Sequence, residues 1–339
     1  MMKRRYKVLL GLVVVLAVAV AVGPRVQPQA LQLHAVPPPP QDPAALQAWV
    51  DAREAAAVGI RPDNQARIVW ANPAHPAHTG CAIVYLHGFS ASQGEGAPTH
   101  RRLAQAFGCN LYLSRLPGHG LNAADAMRGL DAQQLVQASA QVLAIGHALG
   151  DKVIVIGTSM GGSLALELAA REPQAVDALV LWSPLVRERN NALAPMLWPW
   201  GVTWLRYSRN HGSEIVHSKS TSDYWAADIH LDGYRTLAAL TRGEMQPATF
   251  ALVRAPVFLG YYYRDEQNQD PTVSVPAMLA MYDQLGTPAA LKRKQDFPDA
   301  DAHVIASPLR SHASDEVFAA SRDFLQQVVG LEPVARQPP

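Results

Sequence analysis

Apolar and polar positions along this chain fall into two kinds of stretch. Short, almost unbroken apolar runs stop abruptly at a turn: AIVYLHG at 82–88, NLYLSRL at 110–116, KVIVIG at 152–157, ALVLWSP at 178–184 and APVFLGYYY at 255–263. Runs that are apolar at successive rather than alternate positions read as strands buried on both faces. Between them lie alanine-rich stretches that favour helix: THRRLAQAFG at 99–108, AADAMRGLDAQQLVQASAQVLAIGHALG at 123–150 and GGSLALELAA at 161–170. Strand and helix alternate, which predicts an α/β fold with a mostly parallel, doubly wound sheet covered on both faces. Weaker signals extend it at both ends: a proline-started helix over 43–58, a strand over 66–70, a final strand over 291–297 and a final helix over 314–329.

The N-terminus follows another pattern. Lys3, Arg4, Arg5 and Lys7 precede a run, 8–22, that is wholly apolar or glycine. A basic segment followed by such a run predicts an export signal, with Ala19-Val20-Ala21 as a small-residue cleavage site. The run falls short of the length expected of a spanning helix, so a cleaved signal and a membrane anchor both remain open. In either case the cations stay on the cytoplasmic side and the remainder is expected on the periplasmic or extracellular side. The proline-rich VPPPPQDP at 36–43 closes a linker that begins after the run.

Composition narrows the classes. At 339 residues the chain is long enough for one large domain that needs no metal or disulfide to fold. Lys and Arg number 29 against 28 Asp and Glu, so no electrostatic footprint for nucleic acid exists. His75 and His78 lie in the turn-rich NPAHPAHTG without neighbouring acids or cysteines and read as exposed loop residues, not metal ligands. The two cysteines each follow a glycine and precede a predicted strand. Neighbouring parallel strands would bring Cys81 and Cys109 to the same end of the sheet, within disulfide reach, and an exported chain meets an oxidising compartment.

Candidate chemistry sits at the strand ends. GTSMG at 157–161 places Ser159 between two glycines, after a buried strand and before a helix, which is the context required of a nucleophile elbow. The alternative is a serine that only caps its helix. After the strand at 82–86 comes HGFS, where Gly88 lets the chain bend so that the next amide points above the sheet. The backbone N–H groups of Phe89 and Met160 are therefore the expected oxyanion hole. His87 reads as a structural hydrogen-bonding residue.

HGF after one strand, RLPGHG after the next and GTSMGG after the third together resemble the α/β-hydrolase superfamily, over roughly 67–325. Within it the chain is similar to small-capped carboxylesterases and monoacylglycerol-lipase-like serine hydrolases. That resemblance implies the chain order nucleophile, acid, histidine. His303, in DFPDADAHVIASP, matches the family's histidine loop, with His312 as the nearby rival. Two acids follow the strand at 255–263 in YYYRDEQNQDPTVSVPAM. Asp265 lies where the strand should end, Asp270 is followed by a buried-type valine as in the family, and Glu266 ranks third. Asp270 is preferred, with Asp265 as the alternative.

Residues 187–254 are too long for a simple connection and carry Trp198, Trp200, Trp204 and Trp225. The resemblance makes this insertion a mainly helical cap, whose tryptophans either roof an apolar substrate pocket or pack the cap's own core. The expected organisation is a signal or anchor at 1–23, a linker at 24–43, the hydrolase core at 44–186 and 255–330 around the cap at 187–254, and a tail at 331–339. Ester hydrolysis through Ser159, His303 and Asp270, with no metal or organic cofactor, is the implied chemistry. The expected partner is a small, apolar ester, with membrane association through the N-terminal segment and an undetermined oligomeric state. A thioesterase or amidase on the same residues, or an exported binding protein on the same fold, stands as the alternative.

Overall fold

The computed structural model describes residues 2–25, 31–218 and 222–334. Its helices are α1 (Met2–Ala21), α2 (Pro43–Ala55), α3 (Thr99–Phe107), α4 (Ala132–Leu149), α5 (Met160–Arg171), α6 (Gly201–Arg209), α7 (Leu231–Gly243), α8 (Pro247–Leu252), α9 (Val275–Gln284) and α10 (Ser314–Gln327). The strands are β1 (Arg67–Val69), β2 (Thr79–Leu86), β3 (Asn110–Leu113), β4 (Gly150–Thr158), β5 (Ala178–Trp182), β6 (Ile215–His217), β7 (Asp228–His230), β8 (Val257–Tyr261) and β9 (Lys292–Asp296).

Seven strands form one sheet in the order β1-β3-β2-β4-β5-β8-β9, parallel throughout except for β1. Successive residues of each central strand enter opposite layers, as the two-residue period of a strand requires. Val153 and Val155 pack under α4 and α5, whereas Ile154 and Ile156 join Leu103 of α3 and Phe324 of α10. This is why the runs are apolar at every position: both faces are covered. The outermost strand β9, KRKQD, is largely exposed, and its charges blunt an edge that could otherwise pair with another chain.

One boundary and one side-chain environment differ from the sequence reading. The helix expected over 123–150 starts only at Ala132, because Gly129 takes φ +71° and Asp131 forms a capping box with Gln134. His78, read as a loop residue without an acid nearby, lies 3.0 Å from Asp151 at the start of β4. It remains exposed, and among the described residues no group of three or more His, Cys, Asp or Glu could hold a metal ion. Cys81 of β2 and Cys109, just before the paired strand β3, are joined by a disulfide, their Cα atoms 4.8 Å apart.

The apolar run forms most of α1, whose side chains from Tyr6 to Val22 project outward, Val8 at 59% exposure and Val22 at 73%. No helix among the described residues is long and apolar enough to cross a membrane.

Candidate active site

β4 delivers Ser159 to the carboxyl edge of the sheet. Its backbone is held at φ 52°, ψ −118°, a strained left-handed turn for a residue with a Cβ. Four backbone bonds impose it. The Ser159 N–H donates to Trp182 O at 3.1 Å, and the Ser159 carbonyl accepts from Gly162 at 2.9 Å, Ser163 at 3.2 Å and Leu185 at 2.9 Å. Ser159 occupies the N-cap position of α5, yet its hydroxyl makes no capping bond, so the capping alternative fails on geometry. Both flanking glycines are obligatory: a Cβ at 157 would meet Gly161 O at 2.5 Å, and one at 161 would overlap Leu86 O at the end of β2.

The loop after β8 brings up the acid. It makes an excursion from Tyr263 to Gln269, whose ends pair as a bridge, and returns so that Asp270 N–H donates to Tyr262 O at 3.1 Å. Asp270 is fully buried. Its Oδ2 accepts from His303 Nδ1 at 2.8 Å, and its Oδ1 accepts the N–H groups of Thr272 at 2.8 Å and Val273 at 2.9 Å. Asp265 stays at the exposed tip of the excursion, where its carboxylate caps Gln267 and Asn268 instead. Burial alone would raise the Asp270 carboxyl, but the His303 charge and these hydrogen bonds outweigh it and hold the group below its usual range.

His303 arrives from the loop after β9, its side chain 14% exposed. Burial favours the neutral ring, yet Asp270 first and Glu95 second raise its proton affinity above the ordinary imidazole value of 6.5. With Nδ1 on Asp270, Nε2 is left without a hydrogen-bond partner among the described residues. His312, the rival from the sequence, is exposed.

Above the end of β2, the Gly88 N–H is taken by Glu95 at 2.5 Å, while the Phe89 N–H donates to nothing among the described residues. Met160 opens α5, where the first N–H groups have no acceptor within the helix. His87 is buried, with Nε2 accepting the Leu116 N–H at 3.0 Å and Nδ1 donating to Gly88 O at 2.9 Å. Burial, with His119 nearby, pushes it down to about 3, so it is a neutral brace.

The insertion contributes one aromatic outside the expected set, Tyr234, and one within it, Trp225. From α7, Tyr234 packs edge-on against Phe89 at 5.1 Å, and Phe89 also meets the buried ring of His119 at 6.0 Å. Trp225, half-buried, lies beside Glu95. Trp198, Trp200 and Trp204 neither roof this site nor pack a core: they are 56%, 43% and 49% exposed. Glu95 and Tyr234 carry no sequence signal of their own, whereas His119 stands in the RLPGHG stretch at the carboxyl end of its strand.

Residues 77–283 match the family described as serine aminopeptidase, S33. A pimeloyl-[acyl-carrier protein] methyl ester esterase of Nitrosospira multiformis is 34% identical over 125 residues, 36% of this chain and 44% of that protein. The chain thus matches less than half the length of this curated relative. One of the metagenome-derived lipolytic enzymes LipS and LipT superposes with a TM-score of 0.60 at 16% identity, covering 79% of this chain and 99% of the other. A soluble variant of monoglyceride lipase from Saccharomyces cerevisiae gives 0.57 at 12% identity, covering 80% and 92%. At these identities the two structures speak to the fold, which is theirs. With more than half its length matched, the chain belongs to the serine aminopeptidase S33 family of α/β hydrolases.

Proposed function

We propose that the protein is a serine hydrolase that cleaves carboxylic esters of small to medium, apolar acyl or monoacylglycerol-like character. The observation that carries this reading is the buried Asp270 on His303 Nδ1, with Nε2 unpartnered at the strand edge where Ser159 is held. Ser159 Oγ attacks the ester carbonyl and passes its proton to His303 Nε2, while Asp270 fixes the ring tautomer and stabilises the imidazolium. The oxyanion is held by the N–H groups of Phe89 and Met160, each donor contributing about 2.7–4 kcal/mol to the transition state. His303 then protonates the leaving alcohol and activates water to release the acyl group.

The curated relative named above, an esterase, supports ester over amide. The family's description as a serine aminopeptidase favours the amide alternative, so the test includes both. A panel of p-nitrophenyl esters of rising chain length, a monoacylglycerol and an aminoacyl p-nitroanilide is expected to give turnover on esters far above that on the anilide. Preferential cleavage of the anilide would transfer the assignment to a peptidase.

The same reading extends to location. Trp200 ties its exposed neighbours to the apolar helix: its indole donates to Ala19 O at 3.0 Å and its N–H to Pro24 O at 2.7 Å. Exposed tryptophans beside an exposed apolar helix suit the interface of a lipid bilayer, on the exported side expected from the basic N-terminus. The full chain should float with phospholipid vesicles, less so after joint Trp198→Ser, Trp200→Ser and Trp204→Ser replacement. Wild type left at the bottom of the gradient rules the idea out.

A further inference from the structure

The loop beyond Phe89 holds a carboxylate that the chemistry above does not use. Glu95 sits in the short turn Gln93–Gly96, 2% exposed, and no Lys or Arg pairs with it among the described residues. Its Oε2 accepts the Gly88 N–H at 2.5 Å and the Tyr85 hydroxyl at 3.3 Å. Tyr85 Oη is in turn 3.0 Å from Thr158 Oγ1, one residue before Ser159. From the insertion, the half-buried Trp225 lies beside Glu95. Neighbouring backbone seals that contact: Ala226 N–H donates to Ser90 O at 2.8 Å, the Ser92 hydroxyl to Tyr224 O at 3.3 Å and Arg61 to Trp225 O at 2.7 Å.

Glycine 88 and Glu95 are complementary in shape. A Cβ at 88 would lie 2.6 Å from Glu95 Oε1, so the carboxylate fills the space a side chain would take. Glycine is the residue least able to fix its own backbone, and the amide that follows Gly88 must face the oxyanion. The peptide that carries the Phe89 N–H is held at Gly88 O by His87 Nδ1 and the Ala91 N–H, and Glu95 holds the peptide before it through the Gly88 N–H.

We propose that Glu95 is a positioning residue of the ester-cleaving site, clamping the peptide before the Phe89 amide through the Gly88 N–H. The inference rests on Ser159 and His303 acting as proposed above. Burial pushes the Glu95 carboxyl up to about 7, while the Gly88 N–H, His303, Tyr85 and Trp225 restrain it. The other titratable groups around it are held neutral: Tyr85 lies well above its usual value through burial, and burial takes His87 and His100 down to about 3 and His119 to about 4. Asp270 faces His303 rather than Glu95, and the Arg310 guanidinium lies over the Trp225 ring at 4.6 Å.

The test uses the full chain with Glu95→Gln and Glu95→Ala, p-nitrophenyl ester kinetics, and fluorophosphonate labelling. Glutamine still accepts the Gly88 N–H, so kcat stays close to that of the wild type. Alanine releases the clamp, and kcat falls by about 10²-fold with KM changed far less, because the donor it aligns acts on the transition state. A merely structural glutamate would lower the amount of folded enzyme and leave kcat per labelled Ser159 unchanged. An alanine variant with the wild-type kcat per labelled site, or a glutamine variant as impaired as alanine, overturns the proposal. Labelling separates the two levels: a wild type that labels at Ser159 beside such variants refutes the role of Glu95 alone, and a wild type that does not label at Ser159 refutes both.

Discussion

Ser159→Ala is expected to lower ester turnover by about 10⁶-fold, the loss seen when a serine nucleophile is removed from a working unit. The fold should be retained, since the hydroxyl makes no capping bond and is not needed to satisfy a buried group. A fluorophosphonate probe should label the wild type once, at residue 159, and leave the alanine variant unlabelled. Equal labelling of both, or of neither, would falsify the nucleophile assignment and with it the hydrolase reading. The substitution is informative because the turn is fixed by backbone bonds to Trp182 and Leu185, so chemistry can be removed there without removing architecture.

The second large effect separates two carboxylates five positions apart. Asp270→Asn should reduce kcat by on the order of 10⁴-fold, because an amide at that position can favour the wrong imidazole tautomer and leaves the imidazolium without a counter-charge. Asp265→Asn should change kcat by about twofold or less, as expected for an exposed group away from the reacting atoms. The contrast follows from burial and partners: Asp270 is inaccessible and bonded to His303, whereas Asp265 caps Gln267 and Asn268 in the open. The reverse pattern would hand the role to Asp265. Wild-type kcat/KM should also decline on the acid side with a midpoint above 6.5, since Asp270 and Glu95 help His303 keep its proton.

Much of this architecture can be read from the chain alone. Unbroken apolar runs with turns at fixed places specify a buried parallel sheet, and the glycines around Ser159 specify a turn that nothing bulkier fits. His303 is legible because it stands in a recognisable loop between the last strand and the last helix. The acid is not fully legible. Which carboxylate returns to the sheet edge depends on Tyr263 pairing with Gln269, a backbone event that leaves no mark in residue types. Glu95 is hidden for a related reason: a glutamate among glycine and serine reads as solvated loop until residues 224–226 close over it. The tryptophans mislead in the other direction, since aromatic content suggests interior and says nothing about which side of the insertion faces out.

The excursion that places Asp270 has one more neighbour. Arg189 N–H donates to Thr272 O and Ser274 N–H to Arg187 O, both at 2.9 Å, and Glu188 bridges to Val273. The first residues of the insertion are thus stitched, backbone to backbone, to the segment that carries the acid. Length variation at that seam would be transmitted to the His303 partner within a few bonds. At the far tip, around the exposed turn of His211 and Gly212, there is no such connection. Among the described residues, changes of length at the root of the insertion are therefore expected to reach Asp270, and changes at that turn to leave it in place.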